Sequence, residues 1–213
     1  MAQNKQALMA VLSAQPVMPV VAVDSAREAV DLARALAKGG LKAIEITLRT
    51  PAAMDAIRAV AEEVPESICG AGTVLGPRQF EEACAAGAKF IVSPGTTIEL
   101  LDAAKDSPVP LLPGAATPSE LMAMLEEGYE ILKFFPAEQS GGIAFLKALA
   151  PVFQQVRFCP TGGISMKNVR EYLALPNVVC VGGSWVAPKD VIAAGNFDEI
   201  TRLAAEAAAL TGA

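Results

Sequence analysis

The sequence contains no histidine. That absence removes the commonest metal ligand, the usual acid/base side chain near neutral pH, and every serine or cysteine triad built on imidazole. The four cysteines, Cys69, Cys84, Cys159 and Cys180, show no CxxC spacing. Three of them lie in apolar segments that read as buried strands or helix faces, so reduced core thiols are expected rather than a disulfide frame or a metal centre. No long basic run, and no basic patch interleaved with aromatics, accompanies the formal charge of -6, which argues against nucleic acid as the main partner. The N-terminal stretch MAQNKQALMAVLSAQPVMPV lacks the basic start, uninterrupted apolar region and small-residue cleavage site of a secretory signal. No later apolar run is long enough to span a membrane. A soluble, cytoplasmic protein is the expectation, with carboxylates, lysines and backbone groups left to carry any chemistry. A small anionic ligand would need local positive groups.

Linkers and low-complexity stretches are also missing, apart from an alanine-rich C-terminal helical segment, EITRLAAEAAAL. The 213 residues, 53% of them hydrophobic, are enough for one domain with a large core, spanning residues 1–213. After a helical segment near residues 3–14, short β-rich runs recur: PVMPVVAV, LKAIEITL, SICGAGTV, KFIVSPG, VPLLPGA, EILKFF, VRFCPTGG and VVCVGGSWV. Between them lie helical patterns such as SAREAVDLARALAKGG and TPSELMAMLEEG, with Ser, Thr or Pro at their starts and Gly at several ends. Strands alternating with helices require crossover connections and parallel pairing. The even spacing predicts an α/β fold, a closed eight-stranded parallel (β/α)8 TIM barrel with an extra N-terminal helix, in preference to a doubly wound open sheet.

In such barrels the chemistry gathers at the C-terminal ends of the strands. In EILKFFPAEQ a lysine, Lys133, interrupts an apolar run. Lysines at strand ends often bury only their stems. Desolvation among aromatics has another consequence, because it favours the neutral amine, which can attack a carbonyl carbon to form a Schiff base. Strand alternation in AIEITLRT turns Glu45 inward with Ala43 and Thr47, and in EILKFF it turns Lys133 inward with Ile131 and Phe135. A base and a nucleophilic amine then share one cavity, although a buried ion pair alone would satisfy the same pattern. Arg49, just past its strand, has the fork to hold a carboxylate, and Thr73 in GAGTV adds a hydroxyl, which suggests a clamp for a small 2-oxo acid. Taken singly, Arg49 also reads as a solvated loop residue and Thr73 as an ordinary strand end. The glycine pairs of CPTGGIS and CVGGSWV end the last two strands, where backbone N–H groups can approach a phosphate or simply make tight turns.

With these residues assembled, EITLRTPAA, GAGTVL, FIVSPG, PLLPGAATPSE, LKFFPAE and CPTGGI follow one another in the order found in the bacterial 2-keto-3-deoxy-6-phosphogluconate (KDPG) aldolase family, including forms that also cleave 4-hydroxy-2-oxoglutarate (KHG). The resemblance covers nearly the whole chain. It implies a homotrimeric barrel and a metal-independent, cofactor-free class I aldol cleavage giving pyruvate and glyceraldehyde 3-phosphate, within Entner–Doudoroff sugar-acid catabolism. It places the Schiff-base lysine on Lys133, the general acid/base on Glu45, the pyruvate-carboxylate ligands on Arg49 and Thr73, and the phosphate site on Gly162, Gly163 and Ser184. Pro94, Phe135 and Thr161 match residues lining the pyruvyl pocket. Two other readings remain open from the residues themselves: an isomerase or epimerase on a phosphate-binding barrel, and a sugar-phosphate binding protein with no need of Lys133 or Glu45.

Overall fold

A computed structural model describes residues 4–210. The apolar runs form strands β1 (Val17–Val21), β2 (Ala43–Thr47), β3 (Ile68–Gly72), β4 (Ile91–Val92), β5 (Leu111–Leu112), β6 (Gly114–Ala115), β7 (Ile131–Phe134), β8 (Arg157–Pro160) and β9 (Val181–Gly183). Helix α1 (Lys5–Leu12) precedes them, within the expected N-terminal helical segment. The others are α2 (Ala26–Lys38), α3 (Ala53–Glu63), α4 (Pro77–Ala85), α5 (Ile98–Ala104), α6 (Pro118–Glu126), α7 (Gly142–Leu149), α8 (Val169–Leu173), α9 (Lys189–Ala193) and α10 (Phe197–Ala208). Caps explain several of their starts. The Thr117 hydroxyl accepts from the Glu120 N–H while the Glu120 carboxylate accepts from the Thr117 N–H, a reciprocal box with Pro118 in the first turn. Ser25 caps α2 by accepting from the Glu28 N–H, while the Glu28 carboxylate accepts from the Asp24 N–H. Among the described residues no helix is long and apolar enough to cross a membrane.

The strand–helix alternation is present, and the strands pair in parallel. The expected closed eight-stranded barrel is not. The pairing forms one six-stranded sheet in the order β5-β4-β3-β2-β1-β9 and a separate three-stranded sheet in the order β6-β7-β8. The cause is visible in PLLPGA: Pro113 has no N–H to give a ladder and splits the fifth apolar run into two short strands. Leu111 and Leu112 pair with β4, whereas Gly114 and Ala115 pair with β7. At the other edge β8 meets the β9 segment only through isolated bridges, Phe158 to Val178 and Thr161 to Gly182.

Side-chain alternation divides the core into two layers. Ile44, Ile46, Cys69, Ala71, Leu132 and Phe134 pack outward against helices. Met18, Ala43, Phe90, Val92, Leu112, Ile131, Cys159 and Cys180, drawn from both sheets, form an inner cluster with Leu8, Val11 and Leu12 of α1. Helix α1 therefore lies against the N-terminal ends of the strands. Gln15 fixes that end: its buried amide donates to the Val17 and Ala43 carbonyls and accepts from the Ala43 N–H. Glu45 and Lys133 come two residues further along their strands, above this apolar floor.

Burial also sets the thiol chemistry. Cys69, Cys159 and Cys180 are buried and Cys84 is half-buried. Desolvation pushes the Cys69 thiol up to about 12, and Cys180, beside Cys159, also stands well above the usual range. An aromatic disulfide reagent at pH 8 should therefore report at most one slowly reacting thiol, Cys84, in the native protein, and all four after denaturation. Rapid reaction of two or more thiols in the folded protein would contradict this packing.

Candidate active site

Glu45 on β2 and Lys133 on β7 are 2% and 4% exposed. The Lys133 ammonium Nζ donates to Glu45 Oε1 at 3.1 Å, joining the two sheets across the inner space. Nζ also lies 5.5 Å from the centroid of the Phe135 ring. The inward alternation expected from EILKFF and AIEITLRT thus brings the amine and the carboxylate into contact. At β7 the paired residue on β6 is Gly114. A Cβ there would come within 2.2 Å of the Pro94 carbonyl oxygen, so Pro94 presses on the strand next to Lys133.

Arg49 follows β2 and Thr73 follows β3; the Arg49 Nε donates to Thr73 Oγ1 at 3.2 Å. Thr73 has φ 60, the left-handed region that a β-branched residue rarely occupies. That backbone turns its hydroxyl to the guanidinium. Arg49 also lines a cavity of about 170 Å³ together with Phe135, Thr161, Gly162, Gly163 and Ser184. Thr161 is 7% exposed and its Oγ1 has no partner. A buried hydroxyl without a partner is costly, and this one packs against Gly182, where a Cβ would come within 2.2 Å of it. A larger cavity of about 370 Å³ shares Val20, Arg49 and Ser184 with the first and extends to Lys189. Two other spaces, of about 420 and 430 Å³, are lined by none of the expected site residues.

Three residues near the site were not singled out from the sequence. Lys189 carries a second cation beside the cavity mouth, and only the fold brings it there. Glu138 sits in the FFPAE stretch against the Gly162–Gly163 turn. Gly72 is the third, and its signal was present: Gly70 and Gly72 alternate on the inward face of β3. A Cβ at Gly70 would meet the Phe90 ring at 2.4 Å, and one at Gly72 would meet Glu45 Oε1 at 2.1 Å and its Cγ at 2.6 Å. The missing side chain is the slot in which the carboxylate lies. Gly72→Ala should keep the fold but displace Glu45 from Lys133, lowering the turnover of whatever reaction the pair performs by roughly 10²-fold. Unchanged kcat with unchanged circular dichroism would show that the carboxylate position is immaterial.

The profile of the family described as KDPG and KHG aldolase matches residues 8–203. A KHG/KDPG aldolase of Escherichia coli (strain K12) is 54% identical over 197 residues, covering 92% of this chain and 92% of the relative. Among solved structures, the KDPG aldolase of Legionella pneumophila, with pyruvate captured at low pH as a covalent carbinolamine intermediate, superimposes with a TM-score of 0.93. It is 50% identical, with 94% of this chain and 98% of that chain covered. The 2-keto-3-deoxy-6-phosphogluconate aldolase of Zymomonas mobilis ZM4, with 3-phosphoglycerate, gives a TM-score of 0.90 at 44% identity, with 98% of each chain covered.

Proposed function

Since this chain belongs to the KDPG and KHG aldolase family, we propose that its aldolase activity is a class I cleavage of 2-keto-3-deoxy-6-phosphogluconate to pyruvate and glyceraldehyde 3-phosphate, with 4-hydroxy-2-oxoglutarate as a second substrate. The observation that carries the reading is the buried 3.1 Å contact between Lys133 Nζ and Glu45 Oε1. That hydrogen bond gives the ammonium proton a path to the carboxylate. The neutral amine then attacks the C2 carbonyl to form a carbinolamine, and Glu45 passes the proton it took to the carbinolamine hydroxyl, which leaves as water, so that an iminium forms and the carboxylate is restored. Capture of pyruvate as a carbinolamine in the Legionella relative supports this first step.

Glu45, again a base, removes the proton of the C4 hydroxyl, directly or through a water. The C3–C4 bond breaks, its electrons pass into the iminium, and the aldehyde leaves an enamine behind. Glu45 returns a proton to C3, and water hydrolyses the pyruvyl imine. One carboxylate can serve each transfer because the amine it assists is fixed beside it. In this reading Arg49 and Thr73 hold the substrate carboxylate, and Pro94, Phe135 and Thr161 line the pyruvyl pocket. Gly162, Gly163 and Ser184 take the phosphate; the 3-phosphoglycerate bound by the Zymomonas relative is in keeping with a phosphorylated three-carbon product. The family likeness further supports a cytoplasmic homotrimer that works without cofactor or metal in Entner–Doudoroff sugar-acid catabolism. A protein that merely held a sugar phosphate would have no use for a buried amine paired with a base.

Steady-state rates on the two oxo acids test the substrate assignment. Ser184→Asp should set a negative charge against the phosphate and raise KM for the phosphorylated substrate at least about tenfold more than for 4-hydroxy-2-oxoglutarate. Equal losses on the two substrates would remove the phosphate from Ser184.

A further inference from the structure

The Gly162–Gly163 turn is held from behind. The Glu138 N–H donates to the Gly162 carbonyl at 3.1 Å, and Asn168 Nδ2 donates to the Gly163 carbonyl at 3.3 Å. Among the described residues, the N–H groups of Gly163 and Ile164 donate to no protein acceptor, and both residues line the cavity of about 170 Å³ with Gly162, whose N–H faces the Gly182 carbonyl across the Thr161–Gly182 bridge. Gly162 and Gly163 have φ 107 and 77, which turns the two amides that follow Gly162 outward. A Cβ at Gly163 would meet Glu138 Cγ at 2.6 Å and Cβ at 2.7 Å, so the Glu138 stem lies directly on the turn.

The far end of Glu138 is fixed as well. Its carboxylate accepts a hydrogen bond from the hydroxyl of Tyr172, a fully buried residue on α8. Burial, and then this bond, raise the phenol above its ordinary range, so Tyr172 remains a donor. Gly142, at the start of α7, leaves room for the pair: a Cβ there would lie 3.2 Å from both Glu138 Oε1 and the Tyr172 hydroxyl.

We propose that Glu138 is a positioning residue whose carboxylate, latched to Tyr172, braces the Gly162–Gly163 turn so that its unpaired N–H groups meet the phosphate of the substrate. The proposal rests on the assignment of that turn to the phosphate. Its sign is informative. A carboxylate so near a phosphate is electrostatically unfavourable, so if charge were all that Glu138 contributed, its removal would tighten phosphate binding. Bracing requires the opposite.

The test compares kcat and KM of Glu138→Ala, Glu138→Gln and Tyr172→Phe on 2-keto-3-deoxy-6-phosphogluconate and on 4-hydroxy-2-oxoglutarate, with Ser184→Asp as reference. Glu138→Ala should raise KM for the phosphorylated substrate about tenfold, the effect of one hydrogen-bond brace, while KM for the other substrate and both kcat values stay within about twofold. Glu138→Gln, whose amide oxygen still accepts from Tyr172, should stay close to the parent. Tyr172→Phe should reproduce the selective loss and reads it even if Glu138→Ala fails to fold. Tighter binding of the phosphorylated substrate, equal losses on both substrates, or a Gln variant as impaired as the Ala variant would overturn the latch. If Ser184→Asp is selective and the Glu138 and Tyr172 variants are not, the latch is wrong and the phosphate site stands; if none is selective, both fall.

Discussion

Lys133→Met should fold and be inert, with cleavage of both oxo acids reduced by about 10⁴-fold or more, because among the described residues no other in the inner space supplies an amine. Methionine follows the same linear path through the apolar strand, so packing around Ile131 and Phe134 is kept. The variant carries a second consequence. Lys133 and Glu45 are each almost wholly buried and bonded to one another. Removing the cation leaves a carboxylate in the interior without its partner, which costs about 3–5 kcal/mol in comparable pairs. Thermal unfolding of Lys133→Met should therefore come earlier than in the parent, and Lys133→Met/Glu45→Gln should recover part of the loss. A single variant as stable as the parent would mean that the pair is better solvated than its burial implies.

Glu45→Gln separates the two halves of the chemistry. The amide can still accept a hydrogen bond from Lys133 but cannot take a proton, so proton removal from the C4 hydroxyl and return to C3 both suffer. Cleavage should slow by roughly 10²–10⁴-fold, while some imine with pyruvate still forms. Rapid-quench measurement of imine formation alongside steady-state turnover resolves the two. Equal, near-complete loss of imine and turnover would move Glu45 from proton transfer in the cleavage step to activation of the lysine alone. Activity near that of the parent would remove it from the reaction.

Strand alternation made the heart of the site legible before any coordinates. A period of two placed Glu45 and Lys133 inward, and burial on both faces of parallel strands left no solvent for either charge, so the contact follows from pattern alone. The contact between Arg49 and Thr73 was legible for the same reason: they stand just past neighbouring strands that run in register from Ala43–Ile68 to Thr47–Gly72. Closure into one barrel was overread, because the apolar run PLLPGA looks continuous when only hydropathy is considered. Pro113 removes one ladder donor in its middle and hands the chain from one sheet to the other. Lys189 and Glu138 were illegible for a different reason. Each is an unremarkable charged residue, Lys189 at a helix start and Glu138 in a turn, and only the return of distant strands to a common end brings α9 beside Arg49 and Tyr172 beside Glu138.

The central claim is that Lys133 is the nucleophile. Incubating the protein with pyruvate and borohydride, then mapping the modified peptide by mass spectrometry, tests it most directly, since borohydride reduces an iminium to a stable secondary amine. The account predicts progressive inactivation with one reduced pyruvyl group, on Lys133, and none in Lys133→Met. An adduct on Lys89, Lys147 or another lysine, or aldol cleavage that proceeds with no adduct at all, would contradict it.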